Sequence, residues 1–394
     1  MSFEIALSGI NAVNTSLDTI SNNIANAGTY GFKSSRANFS SMLAGEQPTG
    51  AQVSSLTQAI DIGGGLLSTG RAMDVGIQGR GFFVTRDTAG QYLYTRAGVF
   101  STDKDGYVVD SIGRKAQGFG ALANGGVGAM GDLKVPTGQI AAQATDLLSY
   151  VGNVSADWTA PAVTPFDHTN PQTFNASSLS VVYDSRGGQH TVAQYFVSSA
   201  ANQITVHYTC DGADLGTTTT LSFGADGQLT SPTGRVPLAL GTPAGAAPLS
   251  INVDYTGTTQ FAGEATTLQN AANGYASGTL IGVQIADDGS VLAQYSNGQK
   301  QSVGTLALAT FPAEDKLSPA DETSWTVSVG SGNALYFRPG TGTAGKLVTA
   351  SVEQSNVNMT SELVNLMTAQ RNYQANTKVV SAENEMMKTL MQAV

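Results

Sequence analysis

The stretch SNNIANAGTYGFK, residues 21–33, closes one kind of sequence and opens another. Before it, apolar residues recur at helical spacing. Phe3, Ala6, Ile10, Val13, Leu17, Ile20, Ile24 and Ala27 follow one another at intervals of three and four, an unbroken heptad seam with Ser, Thr, Asn and Asp between them. The spacing predicts a helix over about residues 3–27, roughly 37 Å long at ~1.5 Å per residue. Gly28 is expected to take the left-handed conformation that ends it. Beyond Gly28 run more than three hundred residues rich in Gly, Ser and Thr, most of them with strand-like patterning.

The other end of the chain supplies a matching helix. From Met359 to Val394 there is neither Gly nor Pro. Asn358 stands where an N-cap belongs, and Glu362 falls in the first turn, where its charge suits the helix dipole. Met359, Leu366, Tyr373, Val380, Met387 and Val394 recur every seven residues, with Leu363, Gln370, Thr377, Asn384 and Met391 at the companion position. One edge of this stripe is apolar and the other partly polar. Polar seam residues weaken a coiled coil but fix its register and partner number. Neither helix has the wide apolar face of one that lies on a sheet. The two ends are therefore expected to pack as a coiled-coil inner domain on each other and on copies of the same chain. Narrow seams bury little surface in a lone subunit, so order at the ends is expected to depend on neighbouring subunits.

Bulk properties restrict the function classes. The 394 residues are enough for two or three domains. Charged residues are 12%, hydrophobic residues 41%, and there are 46 glycines, a turn-rich composition usual for all-β extracellular or assembly proteins. Nineteen Lys and Arg against 29 Asp and Glu give a net charge of -10, which repels phosphate backbones and argues against nucleic acid as a partner. The single cysteine, Cys210, excludes an intramolecular disulfide and any multi-cysteine metal site, and reads as a solitary thiol on a strand. No apolar run approaches the roughly 20 residues of a membrane span. The opening MSFEIALSGI lacks the basic and apolar regions of a cleavable signal, so the expected location is cytoplasmic, or outside the cell by a signal-peptide-independent route.

Between the helices the chain reads as β structure in two layers. Residues 29–70, with Pro48 and the run Gly63-Gly64-Gly65, read as an extended connector with few turns of regular structure, joined by 346–357 on the return. MDVGIQGRGFFVTRD (73–87), QYLYTRAGVF (91–100) and DKDGYVVD (103–110) carry strand patterns and a hairpin turn. A related pattern returns in TLIGVQIADDGSVLAQYSNGQ (279–299) and GTLALATF (304–311). Residues 71–146 plus 272–345 are thus expected to form one β domain in two halves. Residues 147–271 are expected to be an inserted outer β domain, with strands in LSVVYDSRGGQHTVAQYFV (179–197), QITVHYTC (203–210), LSFGADGQLT (221–230) and APLSINVDY (247–255). The fold class is mainly β with terminal α-helices, in a nested order whose innermost layer is residues 1–28 plus 358–394.

No catalytic constellation emerges. His168, His190 and His207 share no metal-ligand spacing. DKDG lacks the further acids of a calcium loop, with Ser101 and Ile112 at two of the positions an EF-hand fills with acids, and reads as a turn. GIQGRGFF (76–83) has clustered glycines but no following Lys-Ser/Thr, and reads as a strand with bends. There is no Gly-x-Ser-x-Gly elbow, and nothing favours a glycosidase pair among the carboxylates scattered over turns. No catalytic, cofactor-binding or metal-binding residue is assigned, no cofactor is expected, and the chain is not expected to be an enzyme.

The chain resembles the bacterial flagellar hook proteins, members of the axial family of rod, hook and filament. SGINAVNTSLDTISNNIANAGTYGFK is similar to the family's N-terminal signature, with Tyr30 where a second Thr is usual. RAMDVGIQGRGFFV, YTRAGVFSTDKDGYVVDSIGRKAQGF and GYASGTLIGVQIADDGSVLAQYSNGQ look like the two halves of its inner β domain. VEQSNVNMTSELVNLMTAQRNYQANTKVV is close to its C-terminal signature. The insertion at about 147–271 favours hook over the shorter distal rod proteins, and Cys210 is not a family feature. The resemblance implies export through the flagellar type III apparatus, folding beneath a hook cap, and self-assembly into a curved tube. That tube joins rod to filament through hook-filament junction proteins and acts as a universal joint. It implies that the seam residues Phe3 to Ala27, with Met359, Leu363, Leu366, Tyr373, Val380, Met387 and Met391, are the assembly residues. A distal rod-type axial protein, a β-rich adhesin and, more remotely, a hydrolase on a β scaffold are the competing readings.

Overall fold

The computed structural model describes residues 2–44, 47–121 and 126–392. The protein is mainly β, with one long helix at each end. The chain divides into two compact units, each described on its own terms. Unit 1 comprises Met1–Thr137, Gly282–Gln294 and Lys300–Val394; unit 2 comprises Gly138–Ile281 and Tyr295–Gln299.

In unit 1 the first helix, α1, spans Ser2–Ala25. Gly28 does not take the left-handed conformation that the sequence led us to expect, and a Cβ there would touch nothing within 4 Å. Asparagines make the stop instead. The Asn26 side chain donates to the Asn22 carbonyl at 3.0 Å and accepts from Thr29 Oγ1 at 3.1 Å, turning the chain out of the helix. The residue that needs to be glycine is Gly31, with φ +71° and a hypothetical Cβ only 2.6 Å from the Ala97 backbone nitrogen.

The stretch read as an extended connector with few turns of regular structure carries a long hairpin. β1 (Ser35–Ala44) and β2 (Gln47–Gln58) pair antiparallel from Ser35 opposite Gln58 to Ala44 opposite Gln47. An isolated two-stranded ribbon is marginal in water, and α1 supports this one. The Ser8 hydroxyl accepts from the Ala51 amide at 3.2 Å, and at Gly50 a Cβ would lie 1.9 Å from that hydroxyl. The other end is fixed by Trp325, whose indole N–H donates to Gln58 Oε1 at 2.7 Å.

The body of unit 1 is built on a thirteen-stranded sheet in which early and late sequence pair. Leu306 sits opposite Gly118, Leu308 opposite Phe83, and Trp325 opposite Tyr94. Its core is aromatic. Phe82 meets Phe311 and Trp325 edge-on, and Tyr94 meets Phe311, over buried Ile60, Val84 and Ala309. The DKDG stretch is a turn as expected, with Asp103 Oδ1 accepting from the Asp105 and Tyr107 amides and Gly106 at φ +85°.

Unit 2 contains a four-stranded and a five-stranded sheet that share one core. The five-stranded sheet is a meander of Ala176–Tyr183, Gln189–Ala200, Gln203–Cys210, Ala213–Phe223 and Leu229–Ser231. Strict alternation in strands such as Leu249–Asp254 sends Leu249, Ile251 and Val253 inward and Ser250 and Asn252 outward. Buried hydroxyls within the core are satisfied. Tyr208 Oη lies 2.8 Å from both Thr219 Oγ1 and Tyr255 Oη, and Tyr255 Oη donates to Gln194 Oε1 at 2.6 Å.

Candidate functional site: the terminal helices and their latch

The second helix, α2, spans Met359–Gln392. It starts as its sequence predicts, with Asn358 Oδ1 accepting from the Ser361 amide at 3.1 Å. α2 packs alongside α1 in the antiparallel sense. Asn23, near the end of α1, donates to Glu362 Oε1 at 3.2 Å, while Gly9, near its start, lies against the Asn376 side chain. In that register Ser2 falls opposite Glu383. Residues from Asn384 onward therefore project beyond α1, by roughly 13 Å at ~1.5 Å per residue.

Ala6, Ala12 and Ile20 of α1 and Ala369 of α2 are the buried apolar residues of the two helices. Gly9, Ala12, Ser16, Ala369, Asn372 and Asn376 line the groove of about 1090 Å³ between α1, α2 and the hairpin. Of the α1 seam, Ala6 and Ile20 are buried, Ile10, Val13, Leu17, Ile24 and Ala27 are half-buried, and Phe3 is exposed. Of the α2 stripe, Leu366 and Val380 are half-buried, while Met359, Leu363, Tyr373, Met387 and Met391 are exposed; Val394 lies outside the described residues. Exposed apolar residues also occur off these stripes, at Ile5, Leu7, Val364, Met367, Val379, Met386 and Leu390. A single subunit thus leaves many of the large apolar side chains of its two helices in water. Contiguous exposed apolar surface of this kind marks sites of protein contact.

The helices are tied to the β body by a buried charged latch. Lys33 Nζ donates to Glu353 Oε1 at 2.7 Å and to the Ile62 carbonyl at 2.7 Å. Glu353 also accepts from Arg96 Nη1 at 3.2 Å and from the Gly64 amide at 3.0 Å. All three charged side chains are at most 3% exposed. Burial holds the Lys33 ammonium below its ordinary pKa, and the Glu353 carboxylate opposes that shift. Around this centre, Asn23 brackets the start of β1, accepting from the Ser35 amide and donating to its carbonyl, both at 2.8 Å. Asn356 accepts from the Ser34 amide at 2.7 Å and donates to the carbonyls of Ala59 and Ile62. The returning chain pairs there too, with Glu353 opposite Leu66 and Val348 opposite Gly76.

The SNNIANAGTYGFK stretch is therefore a joint as well as a helix stop. Asn23 fixes the hairpin, Gly31 lets the backbone approach Ala97, and Lys33 plugs the return strand. Sequence reasoning did not find Asn23, Lys33, Arg96, Glu353 or Asn356. The one visible signal was a polar Asn23 between Ile20 and Ile24; Lys33 and its carboxylate are 320 residues apart.

Family models match successive segments of the chain. They are described as flagella basal body rod protein (residues 3–33), flagellar hook protein FlgE/F/G D1 domain (76–156), flagellar basal body protein FlaE D2 domain (153–275) and flagellar basal body rod FlgEFG protein C-terminal (348–393). These define the class, a structural protein of the flagellar rod and hook. Full-length relatives narrow it. The chain is 36% identical to the flagellar hook protein FlgE of Escherichia coli, over 99% of both chains. It is 32% identical to that of Brucella abortus, over 98% of this chain and 96% of the relative. The fold is similar to a crystal structure of Helicobacter pylori flagellar hook protein FlgE2, with a TM-score of 0.52 at 12% identity, over 73% of this chain and 99% of that one. The chain belongs to the flagellar hook protein family. It is a hook subunit, and its place is the flagellum, at the hook and basal body. No described helix is long and apolar enough to cross a membrane.

Proposed function

We propose that the exposed apolar rows of α1 and α2 are the contacts through which subunits build the wall of a tube. The observation that carries this is the placement of Phe3, Leu7, Leu363, Tyr373, Met387 and Met391 in water. In this reading residues 1–28 plus 358–394 form a coiled-coil inner layer. Residues 29–70 plus 346–357 connect it to an inner β domain, 71–146 plus 272–345, into which 147–271 is inserted as the outer domain. Pairing of early with late strands in the large sheet supports that nesting.

The latch gives the subunit its mechanical logic. Torque taken up by the helical layer passes to the β body through the Lys33–Glu353–Arg96 cluster and the Asn23 and Asn356 clamps. A buried cluster in which two cations share one carboxylate resists shear because displacing Glu353 strands both of them. The β bodies slide past one another as the curved tube turns, through contacts with several near-equal arrangements. The subunit is a structural element without catalysis. Its partners are copies of itself along the tube, rod proteins below, hook-filament junction proteins above, the hook cap during growth, and the type III export apparatus.

Ile24→Asp and Leu363→Asp test this reading. Each places an unpaired charge in the tube wall. Purified subunits of both variants are expected to keep their far-ultraviolet circular dichroism, and cells expressing them are expected to show basal bodies without hooks by electron microscopy. Hooks of normal length in either variant would remove the helical seams from the assembly surface.

A further inference from the structure

Unit 2 holds a group of side chains that lies outside the assembly surface proposed above. A ring nitrogen of His190, the Cys210 thiol and an Asp211 carboxylate oxygen lie within 4.8 Å of one another. They come from two hairpins that end at the same edge of the five-stranded sheet. His190 lies at the start of strand Gln189–Ala200, opposite Val182, and Cys210 closes strand Gln203–Cys210, opposite Val192. Side chains two apart share a face, so His190, Val192 and Cys210 line one side of the sheet.

Asp211 is set by a tight turn. It and Gly212 both have positive φ, +50° and +79°, the pattern of a type I′ hairpin. Its amide donates to the Thr191 carbonyl at 2.9 Å, and its Oδ1 accepts from the Thr191 amide at 2.8 Å. The second oxygen, Oδ2, is left facing His190 Nδ1 at 2.7 Å. Behind the ring stands a second carboxylate. Asp184 Oδ1 accepts from the Arg186 and Gly188 amides, both at 2.8 Å, and Oδ2 faces His190 Nε2 at 3.4 Å. In the metal-free protein the short contact is a hydrogen bond donated by Nδ1–H to Asp211; an ion would replace that proton and leave Nε2–H donating to Asp184. A carboxylate behind a ligating imidazole is the arrangement that fixes the tautomer at protein metal sites.

We propose that His190, Cys210 and Asp211 form a binding site for a divalent transition-metal ion of the zinc class, with Asp184 as the residue that positions His190. The donor set of one nitrogen, one sulfur and one oxygen suits such an ion and not calcium or magnesium, which take oxygen ligands. Donor atoms around a tetrahedral zinc stand roughly 3–4 Å apart, so the 2.7 Å contact between Nδ1 and Oδ2 has to open and the thiol, within 4.8 Å of the other donors, to close in. Asp211 is 53% exposed, which leaves an entry path and room for a water as the fourth ligand. Once bound, the ion clips one hairpin end to the next at the edge of unit 2. Sequence spacing hid this group because His190 and Cys210 are apart in sequence and adjacent only across paired strands.

Cobalt(II) titration of the tag-free full-length chain under reducing conditions is the direct test. The expected result is one equivalent bound, with a thiolate-to-cobalt charge-transfer band in the near ultraviolet that zinc removes. Cys210→Ser is expected to abolish the band. Asp184→Asn is expected to retain it while weakening cobalt affinity about 10–100-fold, the usual effect of losing a carboxylate behind a ligating imidazole. Circular dichroism of metal-free variants checks that they fold. A wild-type chain that gives no charge-transfer band with excess cobalt overturns the proposal, and so does undiminished cobalt affinity in folded Cys210→Ser.

Discussion

The terminal helices and unit 2 dispose of their apolar residues in opposite ways. In unit 2, Leu148, Val192, Phe196, Ile204, Ile251 and Val253 are fully enclosed between two sheets, and even the buried tyrosine hydroxyls have partners. In α2 the only buried residue is Ala369, while Met359, Leu363, Met387 and Met391 face water. One region completes its core within a single chain. The other has the length and the apolar content of a core element but not its partners. The difference shows how one chain can be a stable folded body and an unfinished piece of a polymer.

The largest effect is expected where the helices are tied to the β body of unit 1. Glu353→Ala strands Lys33 and Arg96, both almost fully buried, without their carboxylate. Breaking a buried ion pair from one side costs about 3–5 kcal/mol. The two tryptophans separate the units cleanly: Trp325 lies in the core of unit 1, and Trp158 packs on that of unit 2. In a Trp158→Phe background, fluorescence-monitored urea unfolding should show the unit 1 transition lowered by that amount. In a Trp325→Phe background the Trp158 transition should stay where it was. A shift of both would mean that the units do not unfold independently.

The mirror experiment is Ile251→Ala in unit 2. Removing a fully buried isoleucine is expected to cost about 2–5 kcal/mol, through lost transfer energy and the cavity left behind. This time the Trp158 signal should move and the Trp325 signal should not. Hook assembly should survive as long as unit 2 remains folded.

A smaller effect tests the joint itself. Gly31→Ala forces a side chain into positive φ and toward the Ala97 nitrogen, a strain of about 1–3 kcal/mol. Gly28→Ala meets no neighbour and needs no left-handed backbone, so it is expected to be neutral or to stabilise by up to about 1 kcal/mol. Equal destabilisation of the two variants in the Trp325 signal would return the helix stop to Gly28.

That glycine pair shows what was legible in the sequence and what was not. Both helices could be read because heptad spacing is a local signal, and several strands because turns such as Asp103–Gly106 mark their ends. The β1–β2 hairpin was not read, since half of its strand residues are Ser, Thr, Gln or Asn, and it is supported by Ser8 and Trp325. The seam was legible in period but not in facing. Gly9, Ala369 and Asn376 meet in the internal pair because small residues let helices approach closely, whereas apolar counting favours the large neighbours. The latch was invisible because its charges converge only after the chain has gone out and returned.

The smallest expected effect on the subunit is also the sharpest test of the contrast. Met387 and Met391 are 61% and 78% exposed and lie on the part of α2 that runs past the start of α1. Replacing both by Ser removes two flexible apolar side chains from water and disturbs no contact within the subunit. Folding stability should change by no more than about 0.5 kcal/mol in either tryptophan signal, as for most surface substitutions. If these residues are buried by neighbouring subunits, the same variant loses most of two methionine side chains from every interface of the tube, at about 1.5–3 kcal/mol for each side chain fully buried. Repeated at each subunit, that loss should leave the double variant monomeric under conditions where the parent chain polymerises, as read by sedimentation and electron microscopy. A variant with unchanged stability that still polymerises at the parental concentration would show that the exposed overhang is surface and not interface, and the helices would then differ from unit 2 only in being less well packed.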